Sequence, residues 1–199
     1  IFLPAAFNWN RRNDTLDPAK GGNLGIKTAP YYDILGGKTA FFKSSVLYQH
    51  YFMLTAKPRI ILALRGNIGS INGADLEDIP ADLRFYAGGG GSVRGYAYQT
   101  VGPRIGDDLE PLGGKSLFTV STELRIKITR SIGVVPFLDG GNVFEAEYPD
   151  FSRDPLWGAG LGLRYHTPVG PLRLDVAFPL NRRGDDDAFQ FYISIGQAF

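Results

Sequence analysis

Apolar and polar residues alternate with a period of two through most of this 199-residue chain. Side chains of a β-strand point to opposite faces with this spacing, so each alternating segment predicts one strand. The alternating segments, of varying regularity, are 3–10, 23–32, 38–52, 59–68, 118–128, 132–143, 157–166, 172–178 and 189–199. The pattern therefore predicts an all-β fold, an antiparallel meander of about eight or nine strands.

The predicted strands have the features of a membrane β-barrel. Most are close to the roughly 9 to 11 residues that a tilted membrane strand needs. Their polar face carries charged residues in mid-strand, as a wet lumen allows: Glu123, Arg125, Arg173 and Asp175. Their apolar face carries aromatic residues of the kind that form an interfacial girdle: Trp9, Tyr32, Trp157 and Tyr165. A soluble β-sandwich also alternates with period two, and it is the alternative fold.

The composition excludes several classes of protein. No segment has the ~18 uninterrupted apolar residues of a spanning helix, so a helical membrane protein is excluded. Lys and Arg number 21 against 20 Asp and Glu, and this balance predicts no nucleic-acid partner. Cysteine is absent, which excludes disulfides and thiolate metal sites. Because the chain begins at Ile1 without a Met, we expect a piece of a longer protein.

A long loop, about residues 72–115, separates two of the predicted strands. Within it four consecutive glycines, Gly88–Gly91, end any regular element, since glycine weakens a strand interior. The glycines are followed by an apolar residue, a cation, a hinge and an aromatic: Val93, Arg94, Gly95 and Tyr96. This combination predicts a segment that folds back into a cavity.

A cation inside a protein needs a carboxylate partner, and two are candidates for Arg94. Glu123 falls on the lumen-facing row of its strand, and Asp139 shares a short motif with Phe137, which faces the same side. We expect the guanidinium fork to bind Asp139, Glu123 or both, and so to pin the loop to the inner wall. The alternative is a solvated loop cation, with Asp139 as a turn residue.

The connections alternate in length. Residues 129–131 and 167–171 predict short turns, whereas 144–154 and 181–187 predict longer, polar loops. In a membrane barrel the long loops lie outside and the short turns lie on the periplasmic side. We expect Asp185–Asp187 to be a solvated loop tip rather than a cation site.

The sequence favours no enzyme and no cofactor. The glycine run is not a phosphate-binding loop, because no Gly-Lys-Ser/Thr follows it. The two histidines, His50 and His166, are too far apart in sequence for a closely spaced metal motif. A Ser-His-Asp lipase would have to use His166, which falls on the predicted lumen face and not on the lipid face.

Three motifs in order resemble the BamA/TamA superfamily of outer-membrane assembly proteins. RFYAGG at 84–89, SVRGY at 92–96 and VGP at 101–103 resemble the loop signature of that family. TLDPAKG at 15–21 resembles the turn before one of its barrel strands, and FLDGGN at 137–142 resembles its F-x-D-x-G strand motif. Together with a terminal Phe199, these motifs span nearly the whole chain.

The resemblance implies a sixteen-stranded barrel that inserts other β-barrel proteins, with the loop tucked into its lumen and POTRA domains ahead of it. About nine strands cannot close that barrel, and this sequence has no POTRA-like region. We therefore expect residues 1–199 to be the C-terminal part of a transmembrane barrel domain. Such a fragment has open edges, which could close into a smaller barrel or pair with a second copy.

The last predicted strand resembles the terminal recognition strand of outer-membrane proteins. In this family the same strand lines a seam where the barrel opens sideways, and an unpaired edge there can template a client strand. The residues expected to form it are Phe189, Phe191, Ile193, Ile195, Gly196 and Phe199. Gly196 either favours an inward bend or fills a narrow lumen position.

The resemblance also implies partners and a location. The expected partners are unfolded outer-membrane client proteins, the lipid bilayer, and an inner-membrane or periplasmic protein bound through the missing POTRA domains. The expected location is the bacterial outer membrane. The spacing Tyr96-Ala97-Tyr98 favours the TamA branch, which assembles autotransporters. The alternatives are a two-partner secretion transporter and a passive outer-membrane pore.

Overall fold

The computed structural model describes residues 3–32, 40–167 and 170–199, and its regular elements are β-strands apart from two short 3₁₀ turns. The strands are β1 Ala5–Asn10, β2 Gly21–Tyr32, β3 Ala40–Ala56, β4 Arg59–Asn72, β5 Arg104–Ile105, β6 Glu110–Pro111, β7 Ser116–Lys127, β8 Ile132–Phe144, β9 Leu156–Thr167, β10 Gly170–Pro179 and β11 Gln190–Ile195. Two 3₁₀ turns, Leu76–Asp78 and Ala81–Leu83, lie in the long loop. Residues 38–39 of one predicted strand and 168–169 of one predicted turn lie outside the described residues.

Nine strands form one antiparallel sheet in the order β1-β2-β3-β4-β7-β8-β9-β10-β11. Each strand of this sheet pairs with the next one along the chain, and the long loop lies between the paired strands β4 and β7. The prediction of an antiparallel meander of eight or nine strands is confirmed. Strands β1 and β11 are the edges of this sheet, and the described residues do not close it into a barrel. The short strands β5 and β6 form a separate ribbon inside the loop, which the sequence pattern did not predict.

No helix among the described residues is long and apolar enough to cross a membrane.

The sheet buries its polar face and exposes its apolar face, which is the reverse of a soluble protein. In β10, Leu172 and Phe178 are exposed, whereas Arg173 and Asp175 are buried. The same inversion holds in β8, where Leu138 is exposed and Asp139 is fully buried. We call the face with the buried polar row the inner face and the other the outer face. A β-sandwich would bury its apolar row instead, so the inversion argues against that alternative.

The long loop covers the inner face. Its apolar residues Ala87, Val93, Tyr96 and Val101 are buried in one cluster with Leu117 and Val143 of strands β7 and β8. Isolated bridges connect Phe85 to Gly114 and Ala87 to Val101, so the loop has backbone pairing of its own. The predicted inward-folded loop is confirmed.

The terminal strand is shorter than the sequence predicts, because β11 ends at Ile195 and not at Phe199. Gly196 has φ of +100°, a left-handed conformation that breaks the period-two alternation. Its amide donates to the Pro171 carbonyl at 2.7 Å. A Cβ at this position would meet nothing within 4 Å, so the backbone conformation and not crowding accounts for the glycine.

Beyond Gly196 the chain turns to the inner face, so Phe199 does not continue the outer apolar row of β11. Its carbonyl accepts a hydrogen bond from Arg125 Nη2 at 2.8 Å. Its ring packs beside Tyr51, in a cluster with Ala19 and Ile61. The residue after a left-handed bend no longer follows the strand's alternation, which explains the change of face.

The register of the last strand pair gives a direct test of the fold, because the chain contains no native cysteine. Val176 lies opposite Phe191 in the β10–β11 ladder, and Ile193 lies two residues away from that pair. We expect V176C/F191C to oxidise to a disulfide, since directly opposed Cα atoms fall within the roughly 4.4–6.8 Å that a disulfide spans. The measurement is the gel mobility of the folded protein with and without reductant. Equal cross-linking of the offset pair V176C/I193C would contradict this register.

Candidate functional site

The candidate site is centred on Arg94, whose side chain is only 2% exposed. The backbone beside it makes this burial possible. Gly95 has φ of +101°, and a Cβ there would lie 3.0 Å from the main-chain carbonyl of Phe178. The loop can therefore turn sharply and lie directly against β10 only with glycine at this position.

The Arg94 guanidinium binds three carboxylates on three different strands. Its Nε and Nη2 donate to the two oxygens of Asp139 in β8, at 2.6 and 2.9 Å. Its Nη1 donates to Glu123 Oε1 in β7 at 2.8 Å and to Asp175 Oδ2 in β10 at 2.9 Å. The Arg94 amide also donates to Asp139 at 3.1 Å. Charge-assisted bonds of this number and geometry fix both the side chain and its loop.

The structure thus brings Arg94 together with both carboxylates that the sequence indicated, and it adds a third. Asp175 lies on the polar row of its strand, between Arg173 and Ala177, as the alternation predicted, but alternation does not show that it meets Arg94. The motif reasoning that led to Asp139 gave no reason to select it.

A row of glycines in β9 leaves room for the Arg94 main chain and for the charged side chains beside it. Gly158 lies opposite Asp139 in the β8–β9 ladder, and Gly162 lies opposite Asp175 in the β9–β10 ladder. A Cβ at Gly158 would overlap the carbonyl oxygen of Arg94. These glycines let the loop approach the wall closely enough for direct hydrogen bonds.

Three further arginines surround the same carboxylates. Arg125 Nε donates to Glu123 at 2.9 Å, and Arg173 Nε donates to Asp175 at 2.7 Å. Arg164 also pairs with Asp175. All of these groups are buried. The site is therefore a desolvated network in which each carboxylate is neutralised by at least one arginine, as buried charges require.

Arg94 stays charged in this environment. Burial alone would lower its pKa, but the hydrogen bonds and charge of Asp139, with the charges of Glu123 and Asp175, raise that pKa above its ordinary value. The guanidinium also lies 3.5 Å from the ring centroid of Phe137, a cation–π contact in a desolvated position.

The other loop residues predicted from the sequence are also in contact with the wall. Val93 is fully buried in the loop cluster. The Tyr96 hydroxyl donates to Asn181 Oδ1 at 2.9 Å and lies 3.0 Å from the Trp157 carbonyl. The Gly95 amide donates to the Tyr192 hydroxyl at 3.1 Å. Nothing in the sequence indicated Asn181 or Tyr192 as members of the site, because neither belongs to a charged or glycine-rich motif.

Apart from Phe199, which accepts a hydrogen bond from Arg125, the predicted residues of the terminal strand do not join this site. Phe191, Ile193 and Ile195 are exposed on the outer face, and Phe189 is exposed just before β11 begins. Tyr192, which lies on the opposite row of β11, contacts the loop.

The aspartates at 185–187 do not all form the solvated tip that we expected. Asp186 is buried and binds the Arg183 guanidinium through both carboxylate oxygens, at 2.9 and 2.7 Å. Burial raises the pKa of Asp186, but the hydrogen bonds and charge of Arg183, with the charge of Arg104, lower it overall. The same Arg183 donates to the Thr100 carbonyl at 3.0 Å, so this loop is tied to the long loop.

The structure offers no metal centre within the described parts of the chain: no group of three or more His, Asp or Glu side chains is placed to hold an ion. His50 instead lies 2.9 Å from the Tyr48 hydroxyl, and His166 lies in β9.

Comparison with protein families gives a match over the whole chain. The model described as the Omp85 superfamily domain matches residues 1–199.

Curated relatives are similar over most of this chain. It is 32% identical over 170 residues to the outer membrane protein assembly factor BamA of Nitratidesulfovibrio vulgaris, covering 83% of this chain and 21% of that protein. It is 26% identical to BamA of Neisseria meningitidis, covering 96% of this chain and 28% of that protein. A SAM50-like protein of Schizosaccharomyces pombe is 25% identical, covering 75% of this chain and 34% of that protein. The chain thus spans no more than about a third of the length of these relatives.

A solved structure has the same fold. The crystal structure of BamA from Haemophilus ducreyi, lacking POTRA domains 1–3, superposes with a TM-score of 0.77. The match covers 96% of this chain and 41% of that one, at 23% sequence identity.

The buried network gives a prediction for stability. Arg94→Ala leaves Asp139 buried without the guanidinium that binds both of its oxygens, so we expect a loss of about 3–5 kcal/mol in the free energy of unfolding. Arg153 is the matched control, because it is 73% exposed and pairs with Asp150 at 3.5 Å. Arg153→Ala should cost about 0–1 kcal/mol. Urea titrations of the two variants measure the difference, and equal midpoints would contradict the burial of Arg94.

Proposed function

Because the chain belongs to the Omp85 superfamily, we propose that it is part of an outer-membrane assembly factor that inserts other β-barrel proteins into the membrane. Two relatives that carry the name outer membrane protein assembly factor support this proposal. The structural observation that carries it is Arg94, which holds a loop against the inner face through three strands, while β11 is an edge of the sheet that the described residues form. Residues 1–199 would form the C-terminal part of the barrel domain.

The proposed location is the bacterial outer membrane, with the outer face against lipid. The burial pattern supports it, because the outer face exposes large apolar side chains such as Leu161, Leu163 and Ile193. The exposed aromatics Trp9, Tyr32 and Tyr165 fit an interfacial girdle on the same face.

The proposed mechanism has two parts. An edge strand presents unpaired N–H and C=O groups, which can template the incoming strand of an unfolded client protein. β11 is the edge strand nearest to the loop, since Tyr192 binds Gly95. The buried network holds the loop, with Val93, Arg94, Gly95 and Tyr96, as a latch on Asp139, Glu123 and Asp175. Neither part requires a cofactor, a metal or enzymatic chemistry.

Two further proposals concern a partner outside the membrane barrel and the branch of the family. An inner-membrane or periplasmic partner would bind through POTRA domains outside this chain. The TamA-like branch and its autotransporter clients stay a prediction from Tyr96-Ala97-Tyr98. Of the relatives described above, two are BamA proteins and one is SAM50-like.

The test separates an assembly factor from a pore. In the full-length protein reconstituted in liposomes, we expect Arg94→Ala to reduce client assembly by at least about tenfold, because the latch loses its buried charge pairs. Ion conductance, measured on the same amount of folded protein, should be retained. Arg153→Ala should leave both quantities unchanged.

The opposite result would overturn the proposal. A passive pore or a two-partner secretion transporter would assemble no client even without substitution. In a passive pore, Arg94→Ala would change mainly the conductance.

A further inference from the structure

The edge strand β11 is weakly held by its own ladder. It pairs with β10 over six residues, Gln190–Ile195, whereas the β9–β10 ladder contains ten pairs. Its other edge has no partner among the described strands. Contacts outside the ladder therefore matter more for the position of β11 than for that of β10 or β9.

Tyr192 makes such contacts, and it makes them to the loop. Its hydroxyl accepts a hydrogen bond from the Gly95 amide at 3.1 Å and donates to the Tyr96 carbonyl at 3.0 Å. Its ring lies against Gly90, where a Cβ would come within 3.0 Å of Tyr192 Cδ1. Both hydrogen-bonding roles of the hydroxyl are thus used on the backbone beside Arg94.

Consecutive amides of the loop are bound by strands on different parts of the sheet. The Arg94 amide donates to Asp139 in β8, and the Gly95 amide donates to Tyr192 in β11. Two strands, β9 and β10, separate β8 from β11. The loop therefore bridges them across the inner face. If β11 moves outward, either the Tyr192 hydrogen bonds break or the loop is pulled away from Asp139.

Strand β10 contacts the loop as well, so Tyr192 is not its sole attachment on this side of the sheet. Arg173 Nη2 of β10 donates to the Gly90 carbonyl at 2.9 Å, so β10 also holds the loop. The hydrogen bonds of Tyr192 extend the bridge by one more strand, to the edge of the described sheet.

We propose that Tyr192 is a positioning residue that couples the edge strand β11 to the Arg94 loop, so that a polypeptide strand pairing with this edge changes the state of the loop. The identity of that polypeptide as a client protein rests on the proposed function. The coupling between β11 and the loop does not.

Hydrogen–deuterium exchange of the full-length protein in lipid nanodiscs tests the coupling. Asp139→Asn weakens the loop at β8 without touching β11. We expect it to accelerate amide exchange in 190–195 by at least about fivefold, the scale of one lost hydrogen bond. Exchange in 5–10, which four strands of the sheet separate from β8, should not change.

Tyr192→Phe supplies the decisive comparison, because it keeps the ring and removes only the hydroxyl. In the Y192F background, Asp139→Asn should no longer alter exchange in 190–195. Tyr165→Phe, on the exposed outer face of β9, is the matched control and should preserve the effect of Asp139→Asn.

Two outcomes would overturn the inference. One is an effect of Asp139→Asn on 190–195 that is equally large with and without the Tyr192 hydroxyl. The other is no effect in the otherwise unsubstituted protein, a result that stands even if Y192F does not fold. Client assembly is measured separately, so its absence would reject the proposed function and leave the coupling result valid.

Discussion

A buried guanidinium is the constraint on which the rest of this structure depends. Removing an arginine from water is costly, and the cost is recovered only when carboxylates satisfy its hydrogen bonds at close range. Arg94 meets that condition through Asp139, Glu123 and Asp175, which come from three strands. The strands can supply them only if their polar rows lie on the same face of the sheet. One charge thus links the position of the loop, the glycine row of β9 and the polarity of the inner face.

The outer face follows from the same requirement. Once the polar row is inside, the period-two alternation leaves leucine, isoleucine and phenylalanine outside. Such a surface is unfavourable in water and favourable against lipid, which is why burial and hydropathy are inverted relative to a soluble sheet. The loop completes the inner face with an apolar cluster of its own, so the interior combines a charged network with a small packed core.

Much of this arrangement could be predicted from the sequence, because alternation assigns a residue to a face from local information alone. It placed Glu123 on the inner row, and a short motif indicated Asp139. Alternation does not give the register between strands, so it does not show which residues of different strands lie side by side. Asp175 and Tyr192 were therefore on the correct row, but nothing in the sequence brought them to Arg94.

The C-terminal residues show a second limit of prediction from alternation, because the pattern of apolar and polar residues does not show where a strand ends. A single left-handed glycine, Gly196, moves Phe199 from the outer row to the inner face. Glycine in a strand is compatible with several local conformations, so the sequence left the bend and the narrow lumen position open. The tertiary contacts with Arg125 and Tyr51 decide between them, and those residues are far away in sequence.

The most direct test of the central claim is a double-mutant cycle between Arg94→Met and Asp139→Asn, read as the free energy of unfolding. Direct pairing in a desolvated interior predicts a coupling energy of at least about 2 kcal/mol between the two substitutions. If the two effects add to within about 0.5 kcal/mol, Arg94 and Asp139 do not interact, and the loop is not held by this charge.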